Sequence, residues 1–544
     1  MNPVLGVKGW SVRTTATLLA VLTSVFLTVG CGSTSLSKAN SNGFSNSSVN
    51  GTYVFSSEGS DSSTAGDLLA MAGAFTANGT GGITGGTMDI IDPSVGVAAG
   101  QTITSGSYNV NTDGRGQVHL TSAAGTFVLD FVLTSTPSGL SGVSTHGLVS
   151  EFDDHGSGSG TLDLQAAVTS LSQLAGPYAF NISGTTGSNI SAATGAFTLN
   201  SGGTITAGIE DLNAAPFVYA DETVTGGATL GSGTAPGSIT LTTSNFSLAF
   251  DFYPIDATHL KLIETDNTNF LIGDAFTQTG ASIPTGPMVF TMAGGTASTG
   301  PIALGGLMTS SNGLGDFSSG FEDVNDAGSI NSSQLQFSGT AAGPASTGGR
   351  VQVNLSGFAP ASTWVIYPSS GGLLMLEMDS SNLTQGVAYA QSATSFSAGT
   401  SIGYGLNLTG ANQISEIDDI AQFNATTATS SNMTGILDEN DEGSLVGNLQ
   451  LTGTYTPNSS TPGRGSIVVP SLGTPLGGLT LEYYVIDSSA VLTIELDGGQ
   501  VSAGSFELQS SSAVGPTQGL AAAHRSMFVV HPLTRSRTVK LPKK

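Results

Sequence analysis

Four times along this chain a glutamate is followed at fixed distances by an aspartate, a glycine and a glutamine. The sets are Glu151, Asp153, Gly160 and Gln165; Glu264, Asp266, Gly273 and Gln278; Glu377, Asp379, Gly386 and Gln391; and Glu495, Asp497, Gly504 and Gln509. Successive glutamates lie 113, 113 and 118 residues apart. That period is the size of a domain, not of a short solenoid repeat. The letters between drift while the frame holds, so each copy meets the same structural constraint separately.

Other blocks recur in the same order. Each copy opens on a short aromatic or apolar strand: GTYVF at 51, GPYAF at 176, GPMVF at 286 and GYGLN at 403. A hairpin-like block follows, GAFTANGTGGITGGTMD at 73 and GAFTLNSGGTITAGIED at 195, with looser versions from 306 and 423. A Gly-centred turn then leads into a strand at 114, 236, 348 and 463. In FSLAFDF, Phe246, Leu248, Phe250 and Phe252 alternate with smaller or polar residues, the period of a strand with one face in a core. No stretch after residue 31 carries a capped helical period. The chain is therefore expected to be all-β: four tandem antiparallel domains of seven or eight strands, at 50–165, 174–278, 285–391 and 399–509. Closure into up-and-down barrels would remove sheet edges that a chain this poor in lysine cannot guard; a β-sandwich is the alternative. The Gly-x-Tyr opening and successive hairpins resemble lipocalin- and avidin-like barrels in plan.

Within the frame, Glu and Asp are read as sharing one face of a strand, six residues as a turn, and Gly and Gln as the start and end of the last strand. A polar cluster for calcium or sugar is one reading. The other is a hairpin whose Gly takes a conformation other residues resist and whose Glu and Gln satisfy buried partners. Four-fold recurrence favours the structural reading. Arg115, Arg350 and Arg464 fall in the Gly-rich turn of copies one, three and four, and copy two carries Lys261 instead. Each arginine is expected to form an ion pair with the frame glutamate of its own copy: Glu151, Glu377 and Glu495.

Chemistry-bearing motifs are otherwise sparse. DVNDAG at 323 and DENDEG at 438 begin like EF-hand loops, but their twelfth positions are Gln334 and Leu449. Asx-rich turns account for them, and for EDLN at 210 and EDVN at 322. Trp364 aligns with Phe or Tyr of the other copies and is expected in a core. There is no nucleophile elbow, P-loop or histidine metal motif, so no catalytic residue, metal or cofactor is assigned and no enzyme is expected.

Only 9% of residues are charged, and 38 acidic residues against 13 basic give a net charge of −25. Phosphate backbones are repelled by such a body, so no nucleic-acid partner is expected. Residues 1–30 have a basic start (Lys8, Arg13) and a short apolar run, ending Thr28-Val29-Gly30-Cys31. This resembles the lipobox of bacterial lipoproteins, which implies cleavage before Cys31 and lipidation of that sole cysteine. Residues 31–49 then form a polar tether, and Gly32 favours the outer membrane. The chain as a whole resembles tandem-repeat bacterial lipoproteins. That resemblance implies a cell-envelope address, periplasmic or surface-exposed, with the membrane as partner through the lipid. The role expected is structural or adhesive, toward an envelope or extracellular partner. Binding of a small apolar ligand or glycan by each domain is the alternative. The basic segment 510–544 is expected to be an unfolded tail.

Overall fold

The computed structural model describes residues 43–509, apart from 64–66, 93–95, 136–141, 187–188, 215, 268, 279, 281, 297–299, 359–361, 400–401, 413–414, 428–430 and 474–475. Residues 1–42, which include Cys31 and most of the segment read as a tether, and residues 510–544 lie outside the described residues.

Four tandem, closed, antiparallel eight-stranded barrels make up the fold. Copy one runs β1 (Asn50–Ser60), β2 (Leu68–Asn78), β3 (Gly82–Asp92), β4 (Gly96–Ile103), β5 (Ser105–Val110), β6 (Arg115–Thr121), β7 (Thr126–Ser135), β8 (His146–Glu151) and β9 (Ser159–Leu164). Each strand pairs with its sequence neighbour, and β9 returns to β1. β4 and β5 are two halves of one barrel strand, both pairing with β3. Copy two has the same break, whereas copies three and four use the single strands Ser329–Ala341 and Ser444–Pro457. The sandwich alternative is excluded by this closure.

Barrel interiors are filled by the apolar face of the alternating strands. In copy three Phe290, Phe337, Phe358 and Trp364 stack, with Phe358 and Trp364 centroids 4.6 Å apart. In copy four Phe396, Tyr404, Phe423, Tyr455, Tyr483 and Phe506 do the same. Residues just before the first strand close one barrel mouth: Phe44, Leu174, Ile283 and Phe396 are all buried in the cores. The end of the segment read as tether is thus part of barrel one.

The outer faces explain how the barrels sit. Strands one to three of each copy pack on the last three strands of the next. Copy one meets copy two through Val54, Ala70, Ile91, Tyr253 and Ile263. Copy two meets copy three through Ala192, Ile209, Tyr367 and Leu374. Copy three meets copy four through Val289, Ala303, Tyr484 and Leu492. Copy four returns to copy one through Val132, Leu148 and Ile420. The four barrels therefore close into a ring with one repeated head-to-tail seam.

The frame glycines sit inside the last strand of each copy, at extended backbone angles rather than the left-handed ones expected. Space is what they provide. A Cβ on Gly160, Gly386 or Gly504 would stand 1.9–2.0 Å from the carbonyl oxygen of Ser56, Thr291 or Asn407 on the first strand. Gly386→Ala is expected to push these strands apart and destabilise the fold by about 1–3 kcal/mol, the usual range for overpacking. Chemical denaturation with a Gly399→Ala control, where the nearest atom is 3.3 Å away, checks this.

Candidate functional site

The seam is built by a bulge that recurs in every copy. The ladder between strands three and four slips at Asp89, Asp211, Asp323 and Asp438. Such an extra residue bends a strand and re-aims a side chain. Opposite it, Gly100, Asp221, Gln334 and Asn448 hold φ between 52° and 62°. The N–H of Asp221 donates to Asp211 at 3.0 Å, that of Asn448 to Asp438 at 2.5 Å, and that of Gly100 to Asp89. Asp89, Asp211 and Asp438 are thereby fixed, and all four aspartates are turned outward, toward the next barrel.

What meets it there comes from the next copy. Arg350 donates to Asp211 through Nε at 2.6 Å and Nη2 at 2.7 Å, and Tyr367 donates to the same carboxylate at 2.5 Å. Arg464 and Tyr484 treat Asp323 alike, at 2.8, 2.9 and 2.7 Å. Between copies one and two only Tyr253 remains, 2.7 Å from Asp89. Between copies four and one only Arg115 remains, 3.3 Å from Asp438. The expected pairing of these arginines with their own frame glutamates is corrected. The arginines lie on the outer face of their strand, while Glu151, Glu377 and Glu495 point into the barrels. Lys261 pairs instead within copy two, 3.1 Å from Asp274.

Two amides complete the seam. Asn213, two residues after its aspartate, donates to the carbonyls of Glu377, Asp379 and Asn382 at 2.9–3.0 Å. Asn325 does so to Glu495, Asp497 and Gln500, and Asn440 to Glu151 and Gly156. Their Oδ1 atoms also close turns, accepting from Gly328 and Gly443 in two of the copies. The EDLN and EDVN segments, read as turns, are in fact strand residues: their Asp and Asn face the seam, while Leu212 and Val324 enter the barrel cores. The frame glutamines cross at the opposite end. Gln165 donates to Pro254, Gln278 to Gly348, Gln391 to Val485, and Gln509 to both Asp113 and Leu133.

The frame aspartates were placed on the glutamates' strand face; they lie in the turn after it. Asp153, Asp379 and Asp497 accept the backbone N–H of Val128, Ser362 and Thr480 at 2.6, 2.6 and 3.1 Å. The frame glutamates end the next-to-last strand of each copy, inside the barrels, and are at most 2% exposed. Burial, with Asp266 beside it, pushes Glu264 up to about 9. Burial and Asp379 raise Glu377 to about 7 against the hydrogen bond from Thr384. Glu151 and Glu495 rise well above the carboxylic range for the same first cause, with Asp153 and Asp497 adding to it.

Polar groups from the copies also gather where the last strands converge. His146 Nδ1 lies 2.6 Å from Asp163, and its Nε2 lies 3.4 Å from Glu507 of copy four. Burial would lower this imidazole, but Glu507 and Asp163 outweigh it and raise it to about 10. In copy two His259 and Lys261 share Asp274 at 2.8 and 3.1 Å, and both act on Asp163 of copy one. The buried Tyr389 hydroxyl of copy three feels Glu507 and Asp274. Groups from every copy are thus coupled electrostatically. The cavity beside Lys261, Asp274 and Glu58 is about 10 Å³, the room of one water.

Among the described residues, the one group of three potential metal ligands is Asp153, Asp154 and His155. It is a turn in which Asp153 already accepts the N–H groups of Val128 and His155. Sequence reasoning missed the seam aspartates, tyrosines and asparagines; the recurrence of EDLN and EDVN was the available signal. No protein-family model matches the chain, and no curated protein matches it.

Two outcomes are expected. Arg350→Ala leaves Asp211 buried without its cation and should cost about 3–5 kcal/mol; a loss below about 1 kcal/mol in urea unfolding would show the pair contributes little. The second concerns pH. Unfolded, the glutamates ionise near 4.5; folded, Glu377 and Glu264 hold their protons to about 7 and 9. Their stabilisation is complete below pH 4.5 and is lost as pH rises through those values. His146 has the same sign, losing its contribution between 6.5 and about 10. Asp163, held below its ordinary value by His146 against the burial that would raise it, works oppositely and matters only in acid. Thermal melting should therefore occur at lower temperature at pH 9 than at pH 5; a flat or rising profile contradicts the assignment.

Proposed function

We propose that this is an exported, lipid-anchored cell-envelope protein whose role is structural or adhesive. The observation that carries the reading is the use made of its interior and its polar groups. Barrel interiors are packed with aromatic and aliphatic side chains, where a ligand-binding barrel keeps a lined cavity of several hundred cubic ångströms. The polar groups that recur across the copies join barrel to barrel.

The ring's ends bear on the anchor. Phe44 and the Gln509 amide both lie against Gly114, so the two ends of the described chain leave the ring side by side. A lipid on Cys31 would hold that face toward a membrane. Twelve residues, 32–43, span at most about 40 Å when extended. The frame turns and the strand three–four hairpins, with exposed Phe217, Ile330 and Leu445, would face away from the membrane. A ring offers contacts at fixed spacing instead of the reach of a flexible array. All four Lys and Arg residues within 43–509 are in ion pairs, which supports a surface without nucleic-acid affinity.

Expression of the full chain and Cys31→Ser with radiolabelled palmitate tests the anchor. Label and membrane recovery are expected in the first and in neither fraction of the second. Native mass spectrometry of the detergent-extracted protein tests the role. Only the mass of protein and lipid is expected; a further reproducible small-molecule mass would replace the structural reading with ligand binding.

A further inference from the structure

The four seams follow one plan but are not equal. Copies one to two, two to three and three to four are joined through the chain by residues 165–175, 278–285 and 391–402. The seam between copy four and copy one has no covalent link of that kind. Among the described residues, its buried apolar patch is Val132, Leu148 and Ile420, against ten or eleven residues in each of the others. Val132 stands where the other copies place Tyr253, Tyr367 and Tyr484, so the hydroxyl donor to the seam aspartate is lost.

Its arginine is also divided. Arg115 gives Nε to Asp113 of its own copy at 3.1 Å and only Nη1 to Asp438 at 3.3 Å. What remains is polar. Ser159 donates to Asp418 at 2.6 Å and Thr134 to Glu507 at 3.0 Å. Asn407 donates to the Val149 carbonyl at 2.7 Å, beside the contacts of Asn440 and Gln509. Water can replace such hydrogen bonds on opening, whereas buried apolar area has no substitute in water.

We propose that the ring opens at the seam between copies four and one, and that its two freed faces take the complementary faces of a second copy of this chain. The interface is heterologous: strands one to three of copy four fit strands seven to nine of copy one. An opened chain presents one face of each kind, so two opened chains close into a ring of eight barrels. Within one chain the two faces are held at high effective concentration, so the single ring dominates in dilute solution. The occupant follows from the seam itself, since each freed face is complementary to the one the other chain exposes.

The test uses the full chain. Asn440→Ala with Gln509→Ala weakens the unlinked seam, and Asn213→Ala with Gln278→Ala makes the matching change at a linked one. Light scattering on a size-exclusion column is run across a hundredfold concentration range. The first variant is expected to give a species of twice the monomer mass, at least tenfold more abundant than in wild type or in the control. Monomer at every concentration, or equal dimer in the control, overturns the proposal. Should a variant not fold, hydroxyl-radical footprinting of wild type decides. Leu148 and Ile420 are expected to be labelled several-fold faster than Leu374 and Leu376 of the linked seam; equal protection overturns the opening.

Discussion

A side-chain amide donating to the next barrel's backbone is the contact on which the ring depends. Gln165, Gln278, Gln391 and Gln509 each reach a carbonyl of the following copy. A carbonyl oxygen is present whatever residue carries it, so this contact survives drift in the partner strand. The amide in turn needs the last strand to lie close against the first, which is what Gly160, Gly386 and Gly504 allow. Thus the elements of the frame act together: the glycine sets the approach, the glutamine uses it, the aspartate ties the turn, and the glutamate closes the barrel mouth as a buried acid.

The bulge supplies the second half of the seam. A regular strand would send Asp211 or Asp323 along the alternation of its neighbours and leave it without the extra backbone donor. With the ladder slipped, the carboxylate gains an N–H from its own copy and an arginine and tyrosine from the next. Buried charge of this kind is tolerable only when hydrogen bonds fill the carboxylate's remaining sites. Sparse charge and a large negative balance are compatible for that reason. The few cations are concentrated where an aspartate must be buried.

Much of the fold was legible in the sequence because strands carry their own period. The alternation in FSLAFDF, the Gly-rich turns and the four-fold spacing led to four antiparallel domains, and the placing of Trp364 in a core followed from its aligned neighbours. The ring was not legible, since alternation tells inside from outside and does not tell solvent from another barrel. Ala192, Val289 and Leu374 lie on the outer faces of their strands, and there outward means seam. The arginine pairing failed on the same point. Arg350 and Glu377 belong to one copy and opposite faces, and no spacing within the copy points to Asp211, 139 residues before Arg350.

Comparing the seams separates what the ring requires from what it tolerates. The seam from copy one to copy two has lost its arginine to Pro236 and its asparagine to Ile91, yet retains Tyr253 on Asp89. Ile91 joins an apolar patch with Tyr253, Ile255 and Ile263 there, so area replaces hydrogen bonds. The seam from copy four to copy one has lost the tyrosine and keeps arginine and asparagine, with little apolar area. Apolar area serves at a seam that a chain segment links, and polar groups serve at the one that no segment links. The glutamine is common to all four seams because neither substitutes for it. It sits at the end of the barrels where, at three of the four seams, the chain itself passes from one copy to the next, and there the position of the backbone, more than the area covered, decides whether the following barrel docks in register.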